Sequence, residues 1–518
     1  MTGLAYLIEI DAYDTVAGAL KTLRFGSVGY THPTAPGPYL DRLTALPTFR
    51  RDIFARNTTG GENSIATTDL VLANPDGALD NLRDYGLAGQ RYVVLVGDAD
   101  AAYSDFVSLI VGTVGQALFD LATVTIKLRD RLQDLAQPIQ TDTYAGNNSL
   151  PAGLEGVDDL AGRPKPLIYG EILNLTVPMV NTSRLEDQAN DGAVVDVPAL
   201  YDKGIALTKG TDYTSQSDME ASAPSSGGYR VWKSGGYMRR GSSAAGTITA
   251  DITEGATSAD RTAAQIAKRI VERLIDPADV ETADVTALDT ANSSVIGIAV
   301  TDSGATCLSV LDTVLSSIGA WYGFDRLGQF RMQRFEAPGT PVATLRRFGL
   351  GSDAAQGEFD IIACRFLPTN DPDKGLPTWQ VTLTYGKNWT VQSGDAVAGA
   401  VSDTRRAWLS AATRSVVSSD DTVKTPSPGA LSKTIDTLLR DQTAAQAEAD
   451  RILALFKVRR DFVEIDTPLT PAAVAAFELG QTVSVVQNRF GYDAGRPMVI
   501  TGIEPNSAAN ILTLALWG

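Results

Sequence analysis

The sequence predicts a mainly β protein of several domains, with α+β parts between its two ends. Its 518 residues are too many for one ordinary domain, since about 150 residues per domain would give three or four. Short segments in which apolar and polar residues alternate lie between Gly-, Pro- and Asn-rich turns at both ends of the chain. Many short strands separated by turns favour a barrel or a sandwich at each end.

The N-terminal part, residues 1–138, is predicted to be one of these β domains. Turns are predicted at Asn74–Gly77 and Gly97–Asp98, because Asn, Pro, Asp and Gly supply turn conformations. Three strands are indicated by alternation or by β-branched and aromatic residues: Ala5–Asp11, Tyr92–Val96 and Ala122–Leu128.

The middle is predicted to hold a β-rich domain with exposed loops, residues 139–255, and an α+β domain, residues 256–358. A connection rich in Gly, Asn and Pro, Tyr144–Pro166, opens the first. In the second, Thr257 should cap a helix with Asp260 at its third position. Three further predictions concern this domain: an apolar helix face formed by Ala263, Ile266, Ala267, Ile270 and Leu274, a helix over Thr306–Gly319, and a hairpin over Trp321–Phe335 that turns at Leu327–Gly328.

The C-terminal part, residues 359–518, is predicted to be the second β domain, with one long helix. Trp379–Tyr385 alternates like a half-buried strand, and the Ala-rich segment Thr443–Arg459 is helical in pattern. Four closing strands are predicted: Phe462–Ile465, Thr482–Val486, Met498–Ile503 and Ile511–Trp517.

The charge and the cysteines limit the classes of function. A formal net charge of −17 disfavours nucleic-acid binding, because affinity for phosphate backbones comes mainly from Lys and Arg. It fits solubility, or an acidic wall past which DNA slides without sticking. Two cysteines, Cys307 and Cys364, make no disulfide framework and fit a reducing cytoplasm. We expect neither a signal peptide nor a membrane span.

Residues for catalysis are scarce. A Ser/His/Asp or Cys/His relay would have to use His32, the one histidine, which lies in a loop-like context. Asp98, Asp100 and Asp105 could hold calcium, but their spacing is not that of an EF-hand, and a solvated acidic turn is the favoured interpretation. The sequence has no GxSxG elbow and no Walker A motif. We predict no catalytic, metal or cofactor site, and no enzyme.

Several segments resemble the hub proteins at the distal end of phage tails: the central hub of siphophage tail tips, the trimeric hub of contractile-phage baseplates, and hub proteins of gene transfer agents. Each segment is a strand beside a tight turn, and their joint order along the chain carries the resemblance. The segments are Asp69–Asp80, Gly162–Gly170, Leu383–Gln392, Leu479–Val483 and Leu512–Gly518.

The resemblance implies two tube-like antiparallel β-barrel domains and a homotrimer whose barrels alternate around a ring. The ring would join the tail tube to the tip or fibre at a virion tail tip or baseplate, after assembly in the bacterial host cytoplasm. Implied partners are further copies of the chain, a distal tail protein or tail tube ring, and the tape-measure protein, with DNA only in transit. Since the sequence stops at Trp517-Gly518, we expect a fibre or spike to be a separate protein.

Two alternatives stay open. A cell-wall-degrading tail enzyme would need a cleft with a carboxylate of raised pKa or a metal. A receptor- or glycan-binding module would place Tyr229, Trp232 and Tyr237 in one exposed aromatic patch, although the three also fit an ordinary hairpin.

Overall fold

The computed structural model describes residues 3–46, 49–56, 58–60, 67–347, 355–371 and 375–518. Strands outnumber helices among them, so the predicted mainly β, multi-domain fold is confirmed. The N-terminal strands are β1 (Leu4–Asp14), β2 (Ala19–Gly26), β3 (Leu40–Asp41), β4 (Leu43–Ala45), β5 (Arg51–Asp52), β6 (Thr67–Ala73), β7 (Tyr85–Gly86), β8 (Arg91–Asp98), β9 (Val107–Phe119) and β10 (Thr123–Arg129).

One bent segment, residues 40–45, closes the N-terminal sheet into a barrel. Its first half, β3, runs parallel to β2, and its second half, β4, runs antiparallel to β6. Between these edges the strands follow in the order β2-β1-β8-β9-β10-β6. Alternate residues of β1, such as Ile8 and Ile10, are buried in the barrel. The turn predicted at Gly97–Asp98 is wrong, because both residues pair with β1 at the end of β8.

The β-rich middle consists of two sheets that share one apolar core. Their orders are β15-β14-β19-β11-β20 and β12-β13-β18-β17-β16. The elements are β11 (Leu167–Thr176), β12 (Met179–Asn181), β13 (Glu186–Gln188), β14 (Asp196–Asp202), β15 (Ile205–Ala206), β16 (Thr208–Lys209), α1 (Gln216–Ala221), β17 (Gly228–Trp232), β18 (Tyr237–Arg240), β19 (Ile248–Thr253) and β20 (Gly297–Val300).

A helical layer follows, with α2 (Ala263–Val271), α3 (Thr282–Ala291), α4 (Cys307–Ser316) and the hairpin of β21 (Ala320–Phe324) and β22 (Phe330–Arg334). The predicted hairpin and the α4 helix, capped by Thr306, are confirmed. The predicted cap of α2 is wrong. The capping box at Thr257 belongs to a short 3-10 turn, and Thr262 caps α2 because the chain is extended there. Leu274 lies beyond the end of α2.

The remaining elements are β23 (Ala343–Arg346), β24 (Glu358–Asp360), β25 (Ala363–Phe366), β26 (Thr378–Tyr385), α5 (Asp403–Ser410), β27 (Arg414–Ser419), β28 (Leu431–Ile435), α6 (Gln442–Phe456), β29 (Phe462–Pro468), α7 (Pro471–Ala476), β30 (Thr482–Val486), β31 (Arg496–Asn506) and β32 (Ile511–Trp517). The four predicted closing strands correspond to β29, β30, β31 and β32. The predicted long helix corresponds to α6, which ends at Phe456.

The predicted strand Trp379–Tyr385 forms outside the C-terminal barrel. As β26 it pairs with β27 and β28 in a separate sheet, and its Val381 and Leu383 share the core of the helical layer. The barrel in turn takes β23 from ahead of residue 359. The division of the chain at residues 138, 255 and 358 stays a prediction.

The C-terminal barrel repeats the topology of the N-terminal one. A bent segment, residues 358–366, closes it in the same way, since β24 is parallel to β23 and β25 is antiparallel to β29. In chain order β2, β3/β4, β6, β8, β9 and β10 correspond to β23, β24/β25, β29, β30, β31 and β32. Strand β1 is an addition to the N-terminal barrel, inserted between β2 and β8.

Matching hydrogen bonds fix the correspondence residue by residue. Gly89 N–H donates to Val114 (2.8 Å), and Gly480 N–H donates to Ile500 (2.9 Å). The reciprocal bonds run from Val114 and Ile500 back to the carbonyls of the glutamines that follow the glycines, each at 2.8 Å. One residue after this contact, each long strand bulges, in the N-terminal barrel before Gln116 and in the C-terminal barrel before Gly502. The two barrels therefore share one architecture.

We predict that Gly480→Ala destabilises the protein more than Gly89→Ala. Both glycines are left-handed, with φ of +80° and +78°, so either alanine costs about 1–2 kcal/mol of backbone strain. At Gly480 a Cβ would also lie 2.6 Å from the movable Gln333 Oε1 and 2.8 Å from the Trp321 ring, whereas nothing lies within 4 Å at Gly89. Calorimetric unfolding midpoints check this, and equal shifts would contradict the role given to Trp321.

Candidate assembly surfaces of the two barrels

A loop of the N-terminal barrel lies across the C-terminal barrel. We call residues 49–56 the clasp. Its strand β5 pairs antiparallel with β31, at Gly502 and Ile503. Both barrels are closed sheets without long free edges, so the clasp joins them by adding a strand where the C-terminal barrel exposes backbone groups.

Buried ion pairs hold the clasp in place. Arg50 donates from Nε to Asp52 (2.7 Å) and from Nη1 to Glu464 (3.2 Å) and Glu504 (3.1 Å). Burial opposes its charge, but these carboxylates hold the pKa of Arg50 above its ordinary value. Next to it, Arg51 pairs with Glu478. These ion pairs therefore fix the position of the clasp, because a buried charge without its partner costs free energy of desolvation.

The two barrels meet end to end. Each barrel has a hairpin end, at the β9–β10 turn (120–122) or the β31–β32 turn (507–510), and a loop end, at the β8–β9 connection (99–106) or the β30–β31 connection (487–495). At the loop end of the N-terminal barrel, Tyr6 Oη donates to Asn510 Oδ1 in the C-terminal hairpin (3.1 Å). Leu109 of β9 lies there beside Val474 and Phe477. One apolar core continues through the contact.

The histidine and the two cysteines, which were candidates for catalysis or metal binding, make ordinary packing and hydrogen-bond contacts. His32 Nδ1 lies 2.8 Å from Thr34 Oγ1, and its ring stacks on Tyr30. Cys307 is buried in the helical layer, and burial raises the pKa of its thiol to about 12. Burial also raises the pKa of Cys364.

The loop that contains Asp98, Asp100 and Asp105 makes hydrogen bonds that are typical of turns. Asp98 accepts a hydrogen bond from the N–H of Asp100 (3.1 Å), while Asp105 belongs to a short 3-10 turn. Across the described ranges, no group of three or more His, Cys, Asp or Glu side chains is placed to hold a metal ion. The solvated turn stays a prediction.

A glycan-binding module was expected to expose three aromatic side chains in one patch, and this expectation is wrong for one of them. Tyr229 is fully buried and donates to Val197 (2.9 Å). Trp232 and Tyr237 stack on each other across the β17–β18 hairpin, with ring centroids 5.8 Å apart. The three residues therefore fit the hairpin interpretation.

Two of the segments that carry the resemblance stabilise a turn and a junction. Asn74 accepts from Leu79 N–H and donates to Asp80, both at 2.8 Å, which locks the turn after β6. In Leu383–Gln392, the buried Asn388 accepts from Asn174 Nδ2 (2.9 Å) and so ties this segment to β11. Sequence reasoning missed Asn174 and the clasp. The signal for the clasp was three charged residues, Arg50–Asp52, between apolar ones.

No protein-family model matches the chain, and no curated protein matches its sequence. Solved structures that are similar to this chain include tail proteins of bacterial genomes and prophages. The tail protein from Neisseria meningitidis MC58 covers 100% of this chain and 97% of its own, with 13% identity and a TM-score of 0.44. The tail protein of prophage MuSo2 from Shewanella oneidensis covers 99% and 98%, with 12% identity and a TM-score of 0.40.

A chain of the virion of a native gene transfer agent particle is also similar. It covers 74% of this chain and 91% of its own, with 13% identity and a TM-score of 0.42. Because these TM-scores are below 0.5, the function of this chain has to be inferred from its own residues. In the described part of the chain, no helix is both long and apolar enough to cross a membrane.

We predict that Arg50→Ala destabilises the protein by about 3–5 kcal/mol, because it leaves buried carboxylates without their partner. Arg56→Ala is the matched control. Its side chain is 60% exposed and lies 3.7 Å from the same Glu464, so its loss should cost less than about 1 kcal/mol. Urea unfolding of both variants checks this. Equal losses would show that the clasp is not held by the buried charges.

A second prediction concerns Glu186, a fully buried carboxylate in β13. Among the described residues, neither of its oxygens has a hydrogen-bond partner. Burial raises its pKa to about 7. The negative charges of Glu220 and Asp187 also raise this pKa, whereas the positive charges of Arg184 and Arg239 lower it. The folded state therefore holds a proton that the unfolded state releases near pH 4.5. Stability should fall as the pH rises from about 4.5 to 7.

We expect Glu186→Gln to match the native chain near pH 5 and to exceed it by about 1–3 kcal/mol at pH 8. Unfolding midpoints at both pH values measure this. Glu336→Gln, at a side chain that is 49% exposed, should give no such difference. A Glu186→Gln variant that is less stable at pH 8 would mean that the carboxylate is paired.

Proposed function

We propose that this chain is a structural subunit of a phage-type tail and forms a homotrimeric hub ring at the tail tip or baseplate. The observation that carries the proposal is the pair of barrels with one architecture, packed hairpin end to loop end. Such a head-to-tail contact uses two different surfaces, so repeating it between copies builds a ring when the rotation closes. Three copies with two barrels each would close a ring of six. The five segments that resemble hub proteins support this assignment.

The charge suits a ring around a passage. A net charge of −17 repels a phosphate backbone, so DNA and the tape-measure protein would pass without sticking to the wall. A distal tail protein or tail tube ring would bind one side of the ring, and a separate fibre or spike protein the other. The β-rich middle would lie outside the ring. In this role the chain is a virion component assembled in the host cytoplasm, and its barrels perform no catalysis.

Solution mass and images test the proposal. By light scattering, the purified chain should have three times the mass of one copy, and negative-stain images of the same fraction should show a ring with a central hole. A monomer that persists to about millimolar concentration, or clearing of host peptidoglycan in a zymogram, would contradict the hub role.

A further inference from the structure

Each barrel has one end covered within the chain and one end free. The loop end of the N-terminal barrel covers the hairpin end of the C-terminal barrel, as the contact between Tyr6 and Asn510 shows. In the described part of the chain, neither the hairpin end of the N-terminal barrel nor the loop end of the C-terminal barrel meets an end of the other barrel, and Thr59 and Asp371 border the latter beside Arg460.

The free hairpin end is apolar and acidic. Strands β1 and β9 both run antiparallel to β8, so the turns that follow them lie at the same end of the barrel. Val16 in the first turn is 90% exposed, and Leu121 in the second is 98% exposed. A contact with another molecule at this end would remove both apolar side chains from water. The acidic residues of this end are Asp14, Asp76, Asp80, Asp84 and Asp120, and they outnumber the basic residues Lys21, Arg42 and Arg83, of which Arg42 pairs with Asp76.

The free loop end is aromatic and basic. Phe490 lies in the β30–β31 connection, 54% exposed, and its ring centroid is 4.8 Å from that of Phe366. Its φ is +63°, a left-handed conformation that is unusual for a bulky residue and that concentrates at functional sites. The basic residues of this end are Lys457, Arg459, Arg460, Arg489 and Arg496. Four acidic residues, Asp371, Asp420, Asp461 and Asp493, accompany them, and Asp420 pairs with Lys457 (3.1 Å). Basic residues therefore exceed acidic ones at this end of a strongly acidic chain.

We propose that the free hairpin end of one copy docks on the free loop end of a second copy. Correspondence of the barrels is the first argument. The β31–β32 turn, which touches Tyr6 within the chain, matches the β9–β10 turn in register, since Asn506 pairs with Ile511 as Phe119 pairs with Val124. Leu121 therefore occupies, on the N-terminal barrel, the turn that is already a docking element on the C-terminal barrel.

Complementarity is the second argument. Exposed aliphatic tips would meet the exposed aromatic pair Phe366 and Phe490, so that each covers the apolar surface of the other. The acidic rim of one end would face the basic rim of the other, which steers association and fixes orientation. The inference rests on the proposed function, because it assigns the surfaces through which the ring would close.

Two substitutions at the tips test the assignment. Leu121→Asp changes a side chain that is almost fully exposed, and Phe490→Asp places at φ +63° a residue type that tolerates this conformation. Neither should disturb the fold, which circular dichroism checks. We expect each variant alone to be a monomer by light scattering under conditions in which the native chain is a trimer.

A mixture of the two variants gives the sharper result. The intact hairpin end of the Phe490→Asp copy can dock on the intact loop end of the Leu121→Asp copy, while both remaining ends are defective. The mixture should therefore form one-to-one dimers that do not grow into trimers. Val391→Asp, at an exposed apolar residue away from both ends, is the matched control and should leave the trimer intact.

The outcomes separate the two proposals. If both tip variants remain trimers beside a trimeric native chain, the docking surfaces are wrong and the ring stands. If the mixture of variants stays monomeric, the contact is not head to tail through these ends, and the docking surfaces are again wrong. If the native chain itself never trimerises, the proposed hub falls and this inference falls with it.

Discussion

The end-to-end contact between the barrels is the interaction on which the other surfaces of the molecule depend. A closed barrel has no free edge strand, so a second barrel cannot be joined to it by ordinary edge pairing. Contact through the barrel ends and a short added strand are two other means. The chain uses both means, with an apolar core that continues from one barrel into the other and with the clasp that adds β5 to β31. This contact decides which ends are covered and which are left for other molecules.

The clasp depends on charges that are costly to bury alone. Arg50 and Arg51 are both largely removed from water, and each has a carboxylate partner on the C-terminal barrel. Pairs of this kind contribute less to stability than to geometry, because a displaced clasp would leave several buried charges unpaired. The barrels are therefore held in one relative orientation, as a ring of repeated contacts requires.

A second fixed point is the buried amide network around Asn174. Its left-handed backbone, with φ of +59°, turns the side chain toward Asn388 and Thr390, and its Oδ1 accepts from Thr249 (2.7 Å). A buried amide without partners would cost more than the same group in water. The network therefore holds the β-rich middle and the segment after β26 in register, although they lie far apart in the sequence.

The sequence by itself determined the local structure. Period-two alternation identified β1 and β10, β-branched and aromatic residues identified β8, and apolar spacing identified α4, because these signals come from neighbours along the chain. The tertiary structure alone decided which strands share a sheet. Alternation marks β26 as a strand, but it does not say that β26 leaves the barrel, and the cap at Thr262 depends on how the chain enters α2. The relation between Gly89 and Gly480 lies in matching hydrogen bonds to strands that are distant in sequence. The pairing of ends is likewise set by long-range packing, because one barrel end gains a partner only when the other barrel is folded against it.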